Sequence, residues 1–242
     1  MIRTAWFYLV LFISTIWYSA RAVVAGLLRV RSRRHYDGIA RGWARSLLSA
    51  AGTPVQIQGL EHVPRDQAVV YASNHSSLFD IPALFASLPG SVRFVAKQEL
   101  ARIPLFGRAM TAAGNVVIDR AHPRNAAAAY ERAAAVMRGG ISTIVFPEGT
   151  RSRTGELLPF KAMPFVLAIV AQVPLVPVYV HNTFEILSKA AWRLRPRPIR
   201  IWVGAPIATA GMTVDDRGAL RERVLAAIAG ARARVDAGSR SG

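Results

Sequence analysis

The sequence predicts an α/β fold: a mainly parallel, mixed sheet flanked by helices, preceded by an N-terminal two-helix membrane-binding element. Three observations predict it. From Pro54 onward, short apolar segments alternate with helical ones. Several of those segments, such as "STIVFP" and "LVPVYV", are continuous apolar runs, the pattern of strands covered on both faces. Finally, residues 4 to 20, "TAWFYLVLFISTIWYSA", carry no charge and are rich in aromatics. At 242 residues the chain can bury one full core with a short appendage.

The N-terminal stretch is at the short limit for a membrane-spanning helix. Extending it through "AVVAGLL" to Leu28 places Arg21 inside the span, where its side chain must snorkel. "RVRSRRHYDGIARGWAR" follows, with six arginines against one aspartate. Two geometries fit: a span with this collar on the cytoplasmic side, or a helix lying in the cytoplasmic interface. A cleavable signal peptide fits poorly, because Trp17 and Tyr18 crowd the formal Ala20-Arg21-Ala22 site and the apolar run continues beyond it. Ile39, Trp43, Leu47 and Leu48 repeat at helical spacing, predicting a second helix over 38–51 that Gly52 ends. Residues 1–53 thus form the anchor and 54–242 the α/β domain.

Within that domain, strands are expected at 55–59, 68–74, 93–97, 115–119, 142–147, 175–180 and 199–204. Helices are expected at 81–87, 103–112, 124–138, 162–171 and 214–235, with "DAGSRSG" a frayed tail. No internal repeat or long linker interrupts them.

Without cysteine, disulfides and thiolate metal sites are excluded. The formal net charge is +17, and of 31 basic residues only Lys97, Lys161 and Lys189 are lysines. Such a surplus favours an anionic partner, whether nucleic acid, an anionic membrane surface or phosphate-bearing substrates; the hydrophobic fraction of 52% leans toward the membrane, and charge alone leaves nucleic acid open. "AWRLRPRPIR" is the one dense basic run beyond the collar, and its tryptophan forms no stacking platform. It reads as a solvated loop or a dock for an acidic carrier protein.

Functional residues of such sheets gather where strands end. "NHSSLFD", residues 74–80, follows one strand and holds a histidine and an aspartate five positions apart. On a regular helix that spacing is about 500° of rotation, so the two meet only if His75 sits on a loop and Asp80 on the first turn of a helix. Asp80 can then fix the imidazole tautomer and leave the other nitrogen free to take a proton. No G-x-S-x-G elbow occurs, so the hydroxyl to be activated belongs to a substrate, with Ser76 or Ser77 as a minor alternative nucleophile. The plain alternative is a helix cap with His75 incidental. No second carboxylate pattern accompanies His122 or His181, which disfavours a metal.

"FPEGTRS" follows another strand. Pro147 and Gly149 impose a tight turn, and Arg151, with Arg120 from a neighbouring strand end, offers fork-shaped donors suited to a phosphate monoester. Glu148 can orient an arginine or bind a substrate hydroxyl; the plain alternative is an ion pair that only stiffens the loop.

At this point the residues carry a resemblance. "NHSSLFD" resembles the N-H-x-x-x-x-D motif of the glycerolipid acyltransferases, specifically the 1-acyl-sn-glycerol-3-phosphate acyltransferases. "KQELARIPLFG" with "GNVVIDR", then "FPEGTRS", then "VPLVPVYV", resemble three further blocks in the family's order, over about residues 54 to 207. The resemblance implies that His75 is the general base with Asp80 its partner. It places Arg120, Glu148, Gly149, Thr150, Arg151 and Lys97 at the substrate. It also implies acyl-CoA or acyl-carrier protein as donor, a lysophospholipid acceptor and an N-terminal two-helix membrane motif, with no metal or organic cofactor required. Together with the basic collar, this leads to the expectation of a seat on anionic lipid at the cytoplasmic face of the cell membrane and no nucleic-acid partner. Lysophosphatidic acid is the expected acceptor; another lysophospholipid or an amino-acid lipid is the alternative. One departure is Met163, in "FKAM", where the family usually has glycine.

Overall fold

The computed structural model describes residues 1–118 and 123–240. Seven strands form one sheet: β1 (Val55–Gln58), β2 (Val70–Ser73), β3 (Val92–Lys97), β4 (Val116–Ile118), β5 (Ser142–Val145), β6 (Leu175–His181) and β7 (Ile199–Val203). Their spatial order is β1-β7-β6-β2-β5-β3-β4. All pairings are parallel except β6 with β7. β1 and β7 therefore run against the other five strands, the mixed but mainly parallel sheet that the apolar runs predict.

The central strands are buried on both faces, and alternation decides which layer each side chain joins. Val69 and Tyr71 pack in one cluster with Leu47, Phe79 and Leu84; Val70 and Ala72 pack in the other with Ala133, Leu167 and Val224. Helices α1 (Ile2–Leu27), α2 (Arg33–Ala51) and α3 (Asp80–Ser87) cover the first face, and α6 (Pro123–Arg138), α7 (Met163–Ala171) and α9 (Arg217–Arg240) the second. Each fully buried leucine or phenylalanine contributes about 1.5–3 kcal/mol.

Several element ends differ from the sequence expectation. α2 begins at Arg33, before the expected 38, because the Ser32 hydroxyl caps it by accepting the N–H of His35. The helix expected over 103–112 starts only at Phe106, as α5 (Phe106–Ala112), and a short unexpected α4 (Gln98–Ala101) precedes it. The break falls at Pro104 and Leu105, and Leu105 has φ 62°, outside any right-handed helix. α9 continues to Arg240 where a frayed tail is expected; its alanine-rich run holds no proline to stop it. A short α8 (Thr183–Ile186) after β6 was not anticipated.

The N-terminal pair is built into the body. Phe7 stacks on Phe79 with ring centroids 5.1 Å apart, and the Trp43 indole donates to Thr15 Oγ1. Gly42 of α2 lies against the Tyr18 ring, so close that a Cβ there would meet it at 2.7 Å. Asp37 of α2 pairs with the buried Arg93 of β3 at 2.6 Å and accepts the Ser91 hydroxyl. The opposite flank of α1 exposes Trp6, Leu9, Phe12, Ile13 and Trp17. By length and composition α1 can cross a membrane.

Candidate active site

Three adjacent parallel strands, β6, β2 and β5, deliver their carboxyl ends to one place. β2 leads into Asn74, whose side chain bonds Val180 twice, accepting its N–H at 2.8 Å and donating to its carbonyl at 2.9 Å. That clamp fixes the start of the loop. The chain then turns, so that His75 sits on the loop and Asp80 opens α3. Their side chains meet: His75 Nδ1 lies 2.7 Å from Asp80 Oδ2.

Asp80 is fully buried, yet its carboxylate is well bonded. Oδ2 also accepts the backbone N–H of Ser76 at 2.7 Å and of Ser77 at 2.9 Å. A carboxylate oxygen serving those amides is an acceptor, so Nδ1 of His75 carries the proton and Nε2 is left to take one. The imidazole stacks on Phe146, centroids 4.1 Å apart, and its side chain is 16% exposed, enough to open one edge. The Ser76 and Ser77 amides are engaged by Asp80 and do not face a developing oxyanion.

The loop after β5 braces this turn from the other side. Glu148, 3% exposed, accepts the backbone N–H of His75 through Oε1 at 2.8 Å and that of Leu158 through Oε2 at 3.2 Å. Ser152 N–H donates to the His75 carbonyl at 2.8 Å. Glu148 therefore bonds backbone amides and not the arginine that sequence reasoning offered it. Burial pushes its carboxyl up to about 7; the two amide bonds pull it down, and the Asp80 charge adds to the rise.

Gly149 adopts φ 72° as its N–H closes on the Phe146 carbonyl, a left-handed turn that only glycine enters without strain. Thr150 is exposed and Arg151 half-buried beside it. Among the described residues no carboxylate pairs with Arg151. Arg120 lies outside the described residues, as does the side chain of Lys97, whose backbone ends β3 in register with Ile118.

Two contributors escaped the sequence reading. Thr183, buried at the start of α8, donates its hydroxyl to Asp80 Oδ1 at 2.5 Å. In addition, Leu78 and Ile81 line a cavity of about 760 Å³ with Phe12, Trp43, Phe85 and Met110, reaching from the histidine loop to α1, α2 and α5. The helical spacing of Trp43 hinted at an apolar face, but nothing local marks a void between four helices.

The Acyltransferase family profile matches residues 54–181. The chain is 35% identical over 182 residues to a 1-acyl-sn-glycerol-3-phosphate acyltransferase of Cocos nucifera, covering 75% of this chain and 58% of that protein. It is 36% identical over 174 residues to the human 1-acyl-sn-glycerol-3-phosphate acyltransferase alpha, covering 72% of this chain and 62% of that one. The chain thus spans about three fifths of the length of these relatives. Among solved structures, the 1-acyl-sn-glycerophosphate acyltransferase PlsC of Thermotoga maritima superposes with a TM-score of 0.82 at 25% identity, over 98% of this chain and 95% of that one. With a histidine–aspartate pair at the strand ends and a family match across more than half its residues, the chain belongs to the acyltransferase family.

Proposed function

We propose that this chain is a 1-acyl-sn-glycerol-3-phosphate O-acyltransferase of phospholipid biosynthesis. It moves a fatty acyl chain from acyl-CoA or acyl-carrier protein to the sn-2 hydroxyl of lysophosphatidic acid, giving phosphatidic acid. The names of its relatives support that substrate class. The observation that carries the reading is the 2.7 Å contact between His75 Nδ1 and Asp80 Oδ2, on a loop whose Leu78 borders the apolar cavity.

His75 Nε2 takes the proton of the acceptor hydroxyl as its oxygen attacks the thioester carbonyl. The new C–O bond forms, the C–S bond breaks, and the proton returns from His75 to the leaving thiolate. General-base assistance contributes about 10²–10⁴-fold, and positioning the rest. Asp80 holds Nδ1–H and balances the imidazolium; Arg151, with Arg120, clamps the acceptor phosphate. The cavity, lined by Phe12, Trp43 and Phe85 among others, takes an acyl chain. α1 lies in the cytoplasmic interface of the cell membrane rather than crossing it. One flank is packed on α2 and α5, the other exposes Trp6, Phe12 and Trp17, and Arg21 lies within the helix itself.

The test is purified protein in detergent with lysophosphatidic acid and either acyl-CoA or acyl-carrier protein, following free thiol and the lipid product. Thiol release that depends on the acceptor, with phosphatidic acid formed, is expected. No acceptor-dependent release with either donor overturns the proposal.

A further inference from the structure

We infer that Thr183, which lies beyond the family match, is a positioning residue for the catalytic base, acting on His75 through Asp80. The inference rests on the reading of His75 as that base.

Thr183 is fully buried, and its hydroxyl is spent on Asp80 of α3. Oγ1 donates to Asp80 Oδ1 at 2.5 Å and lies 3.0 Å from Ser76 Oγ. Because an ionised carboxylate only accepts, the single Thr183 proton goes to Asp80, and Ser76 must therefore donate to Thr183. The result is a directed chain, Ser76 hydroxyl to Thr183 hydroxyl to Asp80 Oδ1.

The two carboxylate oxygens are held differently. Oδ2 takes its donors, His75 Nδ1 and the Ser76 and Ser77 amides, from the same loop that carries it. Oδ1 takes Thr183 from the end of β6, 103 residues away. Donors on one oxygen restrain the terminal torsion, which is intrinsically broad for aspartate, through that oxygen alone. A donor on the second oxygen fixes its plane, and with it the line along which His75 Nδ1–H is drawn.

Thr183 is itself held in place. Asn182 adopts φ 70°, a left-handed conformation uncommon outside glycine, and its side-chain amide donates to the Pro198 carbonyl at 2.9 Å. Val180, two residues before it, is doubly bonded to Asn74 at the base of the histidine loop. Thus the end of β6 presents the hydroxyl from a position registered to the loop it serves.

The experiment compares Thr183→Val, Thr183→Ser and His75→Ala in steady-state acylation of lysophosphatidic acid across pH, with thermal melting of each. Thr183→Val is expected to lower kcat by about 10- to 100-fold, the loss of one hydrogen bond to a charged group, with the acceptor KM unchanged within about twofold. The acid limb of kcat/KM moves to higher pH, because a carboxylate relieved of one donor draws the imidazole proton more strongly. Glu148, the other carboxyl at this loop, is unaltered in these variants. Thr183→Ser restores kcat and the limb. A folded Thr183→Val with normal kcat and an unmoved limb overturns the inference. So does a loss that Thr183→Ser shares in step with its melting temperature. His75→Ala separates the two readings: if it stays active the base assignment itself fails, whereas an inactive His75→Ala beside a normal Thr183→Val sinks only the role of Thr183. Should Thr183→Val not fold, Ser76→Ala reads the same chain from its outer end. A fall in kcat with the same alkaline displacement supports the inference, and no change in either overturns it.

Discussion

Glu148 holds His75 by its backbone and not by its ring: its Oε1 accepts the His75 N–H at 2.8 Å, while Phe146, two residues earlier, stacks on the imidazole at 4.1 Å. One short segment therefore fixes the main chain and the ring plane of the proposed base together. The glutamate's second oxygen, on Leu158 N–H, ties in the following loop.

This placement has a pH signature. Burial raises the Glu148 carboxyl to about 7, well above its value of 4.5 in an unfolded chain, so the folded protein keeps a proton that the unfolded chain has already lost between those pH values. Stability from this group is fullest below the lower value and falls as pH rises through the upper one. The fall is about 3 kcal/mol. Glu148→Gln, which cannot ionise, should lack that decline, while losing about 1–3 kcal/mol at all pH because its amide nitrogen faces a backbone N–H. Denaturant unfolding at several pH values measures the difference.

His75→Ala should lower kcat by about 10²–10⁴-fold with little change in acceptor affinity. Steady-state kinetics beside equilibrium binding of lysophosphatidic acid checks this. Near-normal turnover would remove the base.

Arg151→Ala should cost about 10- to 100-fold in kcat/KM for a phosphate-bearing acceptor, as expected for a charged hydrogen bond, and much less for an acceptor lacking the phosphate. Equal losses on both acceptors would show that the arginine holds the loop and not the phosphate. Its half-buried side chain, free of carboxylates among the described residues, is what makes the contrast testable.

Asp37 and Arg93 join α2 to the sheet, their side chains 13% and 4% exposed. Asp37→Ala leaves a buried guanidinium with only the carbonyls of Val92 and Ala113 among the described residues. It should destabilise the fold by about 3–5 kcal/mol, read by urea unfolding. The His75 loop should keep its turnover per folded molecule, since neither residue touches it.

What was legible in the sequence is what is local. The seven strands were readable as short apolar or alternating segments, and His75 with Asp80 could be paired because one turn of five residues brings them together. The partners that finish the site come from far along the chain: Thr183 reaches Asp80 across 103 residues, and His75 N–H reaches Glu148 across 73. Such contacts are set by strand order, which apolar runs do not specify. The late start of α5 turned on Leu105 adopting φ 62°, which neither glycine nor asparagine at that position forewarned.

The stacking of Phe7 on Phe79 reaches beyond packing, because Phe79 immediately precedes the aspartate that orients the base. Trimming away the first helix to obtain an easily handled protein would strip a wall from the histidine loop and uncover one of the largest buried rings. Solubility gained by that route would come from a different molecule, with a reactive loop no longer backed on that side.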